Sequence, residues 1–407
     1  MATLSISAPL PAAHPLRNRN FRLLWIGRTT SNLGDQFYLV ALPWLVLQLS
    51  NSGVALGTIM MTATIPMAAL MLVGGAVSDY VSPRRVWTVS TLLRALAVAG
   101  VGALVLTHVV ALWHLYVLAF IFGVADAFAT PAAQTLVPSL VEREQLPAAN
   151  SVTQVSQQLT TIVGPAPAGL IIRAVGLAWA FFIDAASFVV MLAAIWKLPD
   201  PPRSEAAARQ GLLRSIGQGL QYINGDAALR SLFLVAAALN FCLAGPVSIG
   251  LAWIAKQHFG SPIAFSILVS SVATGTLLGA LLAGFKKSQQ RGQLILVVST
   301  LIALCTAFLG LLLQLWSLAV VLLVMGACAG FLNIHLLSWF QERVARAMLG
   351  RAMSVLMFAS IGLAPISLAV AGFAVKWSVT GMFVSSAVLM LFVTTLAALT
   401  RSVRDIH

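Results

Sequence analysis

Long apolar blocks alternate with short polar intervals along this chain. Twelve blocks, at about 22–49, 54–78, 86–110, 113–137, 151–175, 177–197, 229–252, 262–285, 294–313, 316–339, 353–375 and 379–400, read as helices. Each reaches the roughly 20 apolar residues an α-helix needs to cross a hydrocarbon core about 30 Å thick. The longest polar interval, about Lys197–Arg230, splits the blocks six and six. The pattern predicts an all-α membrane protein with twelve transmembrane helices in two parallel-repeat six-helix bundles. Its expected parts are a cytosolic tail (1–20), a first bundle (21–197), a linker (198–228), a second bundle (229–400) and a short tail (401–407). Met1–Asn20 holds three prolines and no apolar core, which argues against a signal peptide. Within the linker, Leu212, Leu213, Ile216, Leu220 and Ile223 recur at helical spacing. They suit a helix lying in the membrane interface or one packed on the protein's own underside.

The halves resemble each other. A shift of 209 places Gly75 on Gly284 and Val89-Ser90-Thr91-Leu92 on Val298-Ser299-Thr300-Leu301, and a shift of 203 places Gly123 on Gly326 and Ser151-Val152 on Ser354-Val355. These matches pair the second to fifth helices with the eighth to eleventh in order. Parallel repeats of this kind put a substrate site between the halves near the midplane.

Composition agrees: 59% of the 407 residues are apolar and 9% charged, against about 45–50% and about 25% in soluble domains. The net charge of +13 invites a nucleic-acid reading, which position rejects. Of 24 Lys and Arg, only Arg173, Lys256 and Lys376 fall near the loops after helices 5, 7 and 11, and the other 21 lie toward the opposite side. The positive-inside rule then puts both termini in the cytoplasm of a bacterial inner membrane. Cys242, Cys305 and Cys328 all lie within spans, as buried small apolar residues do.

Against so few charges, four acids in or beside the spans stand out: Asp35, Asp79, Asp126 and Asp184. A charge at the bilayer centre costs a few kcal/mol, so such residues face a bundle interior or a water-filled path. A carboxylate in that setting can load and release a proton as access alternates. Asp35 and Asp126 each sit about 13 residues into a span, and Asp184 lies nearer the outer face. With Arg94 as their companion, they are the candidate proton-coupling set. A plain pairing of each acid with Arg94 or a neighbouring backbone group is the alternative.

The second helix ends in Gly75-Ala-Val-Ser-Asp79-Tyr-Val-Ser-Pro-Arg84-Arg85. Placed between helices 2 and 3 of a six-plus-six chain, this resembles the major facilitator superfamily signature Gly-x-x-x-Asp-Arg-x-Gly-Arg-Arg. The resemblance implies that Gly75, Asp79, Arg84 and Arg85 form a conformational lock. Tyr80 and Ser82 depart from the signature, so Arg84 and Arg85 must carry its cationic side, and the matching turn Gly284-Phe-Lys286-Lys287-Ser288 has no acid. Gly34-Asp35 with Ala41-Leu42-Pro43-Trp44-Leu45, Ala180-Phe-Phe-Ile-Asp184-Ala-Ala-Ser-Phe188, and Gln341-Glu342-Arg343 with Gly350-Arg351 resemble the macrolide-efflux and enterobactin-exporter branch. Gly164-Pro165-Ala166-Pro167-Ala168-Gly169 resembles the antiporter motif of helix 5, whose Pro and Gly would serve as a hinge or sealing surface. The family's helix-4 arginine is absent.

No lysine follows a glycine, so a phosphate-cradling Gly-x-x-x-x-Gly-Lys loop is excluded. Neither His-Glu-x-x-His nor Gly-x-Ser-x-Gly occurs, which argues against a membrane-embedded enzyme. No metal or cofactor is expected. The reading is a monomeric secondary transporter, a proton-coupled exporter of amphipathic small molecules such as drugs or siderophore-like products. A metabolite uniporter or symporter is the alternative, and a non-transporting scaffold a remoter one. The fold that the chain resembles leaves a pocket between helices 1, 4, 7 and 10, with Gln36, Tyr38, Asn240, Phe241, Phe331, Asn333 and His335 as candidate lining. The asparagines could equally hydrogen-bond across helices.

Overall fold

The computed structural model describes residues 14–199, 220–285, 291–345 and 348–400, and these contain no β-strand. The helices are α1 (Arg19–Ser50), α2 (Gly53–Tyr80), α3 (Pro83–Leu106), α4 (Leu112–Ser139), α5 (Leu146–Val163), α6 (Pro165–Val175) and α7 (Leu177–Trp196) in the first half. The second half has α8 (Ala227–Gln257), α9 (Pro262–Phe285), α10 (Arg291–Leu309), α11 (Leu315–Arg343), α12 (Leu349–Trp377) and α13 (Val379–Leu399). α5 and α6 meet at Gly164 and share one expected span. Among the described residues, nine helices are long and apolar enough to cross a membrane on their own.

Polar residues at the helix ends set the boundaries. Asn18 Oδ1 accepts the main-chain N–H groups of Asn20 and Phe21, Ser52 Oγ that of Ala55, and Ser378 Oγ that of Gly381. These bonds satisfy donors that a helix start leaves open. Asn51 takes the left-handed conformation (φ 46°) and turns α1 tightly into α2.

Helix packing repeats between the halves. α2 packs on α4 as α9 packs on α11, and α3 packs on α7 as α10 packs on α13. Apolar side chains gain little from leaving lipid, so close backbone approach at small residues must supply the attraction. A β-carbon on Gly123 of α4 would fall against the Ala63 carbonyl of α2, and one on Gly326 of α11 against the Val272 carbonyl of α9. Gly123 and Gly326 are 203 apart and Ala63 and Val272 are 209 apart, the two offsets of the sequence repeat.

Two seams join the halves: α2 with α12, and α5 and α6 with α9. At the first, a β-carbon on Gly57 would lie 2.6 Å from the Leu368 carbonyl oxygen, and one on Gly372 2.8 Å from that of Gly53. At the second, Gly169 packs on Ser266 and the Pro262 carbonyl. Both seams meet toward the end where α1 finishes. There Gln257 Nε2 donates to Asn51 Oδ1 at 2.6 Å, and the Lys256 ammonium sits 4.9 Å from the Trp44 ring centre.

The crossing glycines make a direct test. Gly123→Val and Gly326→Val place carbon against main chain that cannot rotate away, and each is expected to cost about 1–3 kcal/mol. That should appear as a lower melting temperature in detergent. Gly100→Ala, where nothing lies within 4 Å of the new carbon, should leave the melt unchanged.

Candidate functional site

Arg94 on α3 brings the first-half acids together. Its Nη2 donates to Asp35 Oδ1 of α1 at 2.7 Å, and its Nη1 lies 3.1 Å from Asp126 Oδ1 of α4. The guanidinium carbon is 4.8 Å from the ring centre of Phe122 and 4.5 Å from that of Phe188. Tyr38 stacks on Phe122, at 4.4 Å between centres and 8° between planes. The planar, weakly hydrated cation is thus bridged by two anions and flanked by aromatic faces, which together offset its removal from water. Arg94 is 15% exposed, Asp35 30% and Asp126 34%, so both carboxylates keep some accessible surface.

Asp184 on α7 sits beside the clamp without bonding to Arg94. It is fully buried, and neither carboxylate oxygen has a hydrogen-bond partner. Ser187 Oγ donates to the Asp184 main-chain carbonyl at 2.7 Å. Gly34 brings α1 close at this point, since a β-carbon there would lie 2.8 Å from Asp184 Oδ1. Arg94 Nε and Gln36 Oε1 are also buried without partners. Gln36 packs on Gly164, where α5 gives way to α6 at Pro165. The helix-5 motif therefore touches the residue beside Asp35.

Sequence reasoning overlooked Phe122 and Phe188, although a signal existed. Each acid has an aromatic one helical turn away: Tyr38 after Asp35, Phe122 before Asp126, Phe188 after Asp184.

In the second half, a cavity of about 480 Å³ opens between α8, α9 and α11. Asn240 and Asn333 line it with Phe233, Met325, Trp339 and Phe340. Asn240 Nδ2 donates to Ala236 O of its own helix at 3.0 Å, not across to another. Of the other expected pocket residues, Phe241 faces a separate groove between α8, α12 and α13. Phe331 and His335 pair with each other, ring centres 4.4 Å apart, away from the cavity lining; His335 is buried and its Nε2 has no partner. Among the described residues no cluster of His, Cys, Asp and Glu could hold a metal ion.

The lock motif is described in part. Arg84 Nη2 donates to the Trp196 carbonyl at 2.5 Å and Arg85 is exposed. Gly75 and Asp79 are described only as part of α2, and Leu212, Leu213 and Ile216 of the linker and Lys286–Ser288 lie outside the described residues. The end of the linker is docked: Ile223 is buried, and Tyr222 Oη accepts the Ala345 main-chain N–H at 3.2 Å.

Asp226 caps α8 by accepting from the Ala228 and Leu229 main chain, and pairs with Arg343 at the end of α11 at 2.9 Å. It braces the two helices that flank the cavity. Partial burial would by itself raise its carboxyl, but the Leu229 N–H, the Arg343 side chain and the Ala228 N–H outweigh that and hold it below the usual carboxylate range.

The family model described as "Transmembrane secretion effector" matches residues 11–406. The chain is 34% identical over 224 residues to the multidrug efflux pump Tap of Mycolicibacterium fortuitum, a match spanning 52% of this chain and 54% of that relative. It is 25% identical over 344 residues to macrolide efflux protein A of Streptococcus pyogenes, covering 82% of this chain and 84% of that one. Among solved structures, a mutant of the nucleoside transporter NupG superposes with a TM-score of 0.75 at 13% identity, over 94% of this chain and 98% of that one. That likeness concerns the fold.

Arg94→Met leaves Asp35 and Asp126 facing each other uncompensated. The expected loss is about 3 kcal/mol, the low end for a broken buried pair because both acids keep some exposure; thermal melting and folded yield measure it. At the brace, a depressed carboxyl contributes stability above the unfolded pKa of about 3.9, and loses it as pH falls through the folded value. Melting curves of the wild type should therefore drop on acidification more than those of Asp226→Asn, by less than about 1 kcal/mol because Arg343 is solvent-screened.

Proposed function

We propose that this chain, which belongs to the transmembrane secretion effector family of major facilitator transporters, is a proton-coupled exporter of amphipathic small molecules. The observation that carries this reading is the Arg94 clamp: two mid-span carboxylates share one guanidinium, and a third carboxylate lies buried and unpartnered beside them. When Asp35 or Asp126 takes a proton, Arg94 loses half of its compensation and must reorganise. That change in charge is a means by which proton loading can bias which way the halves open. Asp184 is the third site in the set.

The second half supplies the complementary surface. Its cavity is apolar with two amides, as a pocket for an amphipathic ligand requires, and it offers no charge that would tie up a polar solute. Of the seven candidate pocket residues, Asn240 and Asn333 are kept as substrate contacts. With both termini in the cytoplasm of a bacterial inner membrane, the glycine seams close the outer end and the cavity faces inward. Gly75, Asp79, Arg84 and Arg85 then act at the cytoplasmic edge as a conformational lock. The efflux activities carried in the names of Tap and macrolide efflux protein A support export over uptake. The two bundles (21–197 and 229–400) move about the seams as units, within a single chain.

Cells carrying the protein should accumulate less ethidium or macrolide than cells without it, and an uncoupler should erase the difference. Asp35→Asn keeps an oxygen for Arg94 but no titratable group. Uphill efflux should be lost while membrane abundance is retained. Wild-type efflux from this variant would remove Asp35 from the coupling role, and uncoupler-sensitive uptake in place of export would favour a symporter.

A further inference from the structure

α8 and α12 cross where each contains a proline, Pro246 and Pro365. At this crossing the Ser367 hydroxyl, on a side chain 2% exposed, makes two bonds to the backbone of α8. It accepts the Gly245 N–H at 2.7 Å and donates to the Phe241 carbonyl at 2.5 Å. Those two groups are four residues apart, the pair that an uninterrupted α-helix joins to one another. One residue on, Pro246 has no N–H to offer the Cys242 carbonyl. Two successive rungs of the α8 ladder are thus modified at one point, and a side chain from another helix occupies the first. Insertion of a polar group into the ladder is a recognised cause of helix bending. Gly245 is needed for the approach, because a β-carbon there would lie 2.7 Å from Ser367 Oγ and closer still to its main chain.

The break divides α8 by role. The segment before it carries Phe233 and Asn240 of the cavity. The segment after it carries Ile249, whose side chain reaches to 3.2 Å from a β-carbon position on Gly57 of α2. On α12, the residue after Ser367 is Leu368, whose carbonyl meets the same Gly57. Ser367 therefore fastens the break to the helix that forms the seam between halves.

We propose that Ser367 is a positioning residue for the transport cycle: its hydroxyl, already bonded to both groups, takes over their main-chain bond when α8 bends. α8 can then flex at Gly245-Pro246 with no buried backbone group left unpaired, and its outer segment travels with α12 when the seam parts. This deepens the transport reading and rests on it. The hydroxyl acts on the rate of opening and closing, not on the ligand.

The native thiol of Cys242 lies in the same turn, buried, with Cys305 and Cys328 as internal references. N-ethylmaleimide labelling in membranes, read at each cysteine by mass spectrometry, follows opening of the turn without any substrate. In Ser367→Ala the Phe241 and Gly245 groups can bond each other and straighten α8. Labelling of Cys242 should slow about fivefold relative to the other two thiols, the scale of one net hydrogen bond. Ethidium efflux should fall in maximal rate, with the half-saturating concentration unchanged. Ser367→Thr restores the hydroxyl and should restore both readouts. Pro246→Ala returns the missing N–H and should mimic Ser367→Ala, carrying the test if that variant does not accumulate. Unchanged Cys242 labelling in both Ser367→Ala and Pro246→Ala, or a Thr variant that behaves as Ala, overturns the proposal. If the wild type exports no ethidium, the labelling contrast still judges the splice, and the transport reading fails alone.

Discussion

Carboxylates and a guanidinium cannot be left unpaired inside a bilayer span, and the arrangement of the first half follows from how they are compensated. Arg94 alone would be costly there, as would Asp35 or Asp126. Together they require α1, α3 and α4 to converge on one point, with Phe122 and Phe188 against the guanidinium. Gly34 lets α1 approach α7 closely enough to bury Asp184 beside the cluster. The same compensation makes the site responsive. With two acids on one cation, a change of charge on any one of them alters the balance for all three.

The second half meets the opposite requirement. Its deep surface is apolar and amide-lined, and its ionic contacts lie at the membrane edge, where Asp226 meets Arg343 and Arg291 meets Glu342 at 2.5 Å. The two halves are built on one plan, as the equivalent crossings Gly123 on Ala63 and Gly326 on Val272 demonstrate. Divergence has gone into the side chains facing the space between them. The first half holds the Arg94 cluster, and the cavity of the second half is lined mostly by apolar groups with two amides. Glycine seams between α2 and α12 and between α6 and α9 leave the joint with little side-chain interdigitation.

Hydrophobic block length and the scarcity of charge determined the all-α membrane fold, because the bilayer imposes a length on every span and tolerates few charges within it. The repeat was legible too: offsets of 203 and 209 in the sequence reappear as one contact in space. So was the likeness to efflux transporters, carried by Gly34-Asp35, the helix-6 acid and the turn after helix 2. That Asp35, Asp126 and Arg94 belong together could be suspected from charge alone.

Only the tertiary structure decided which groups meet. A linear pattern gives depth in the membrane but not rotation about each helix axis, so it could not tell that Asn240 faces the cavity while its neighbour Phe241 faces a different groove, or that His335 turns toward Phe331. Nor could it reveal that Asp184 lacks a partner, that Gln36 rests on Gly164, or that Ser367 enters the ladder of α8. The physical reason is common to all three. A helix of apolar residues in lipid has no strongly amphipathic face to fix its orientation, and what orients it is where small residues permit backbone contact with a neighbour distant in sequence.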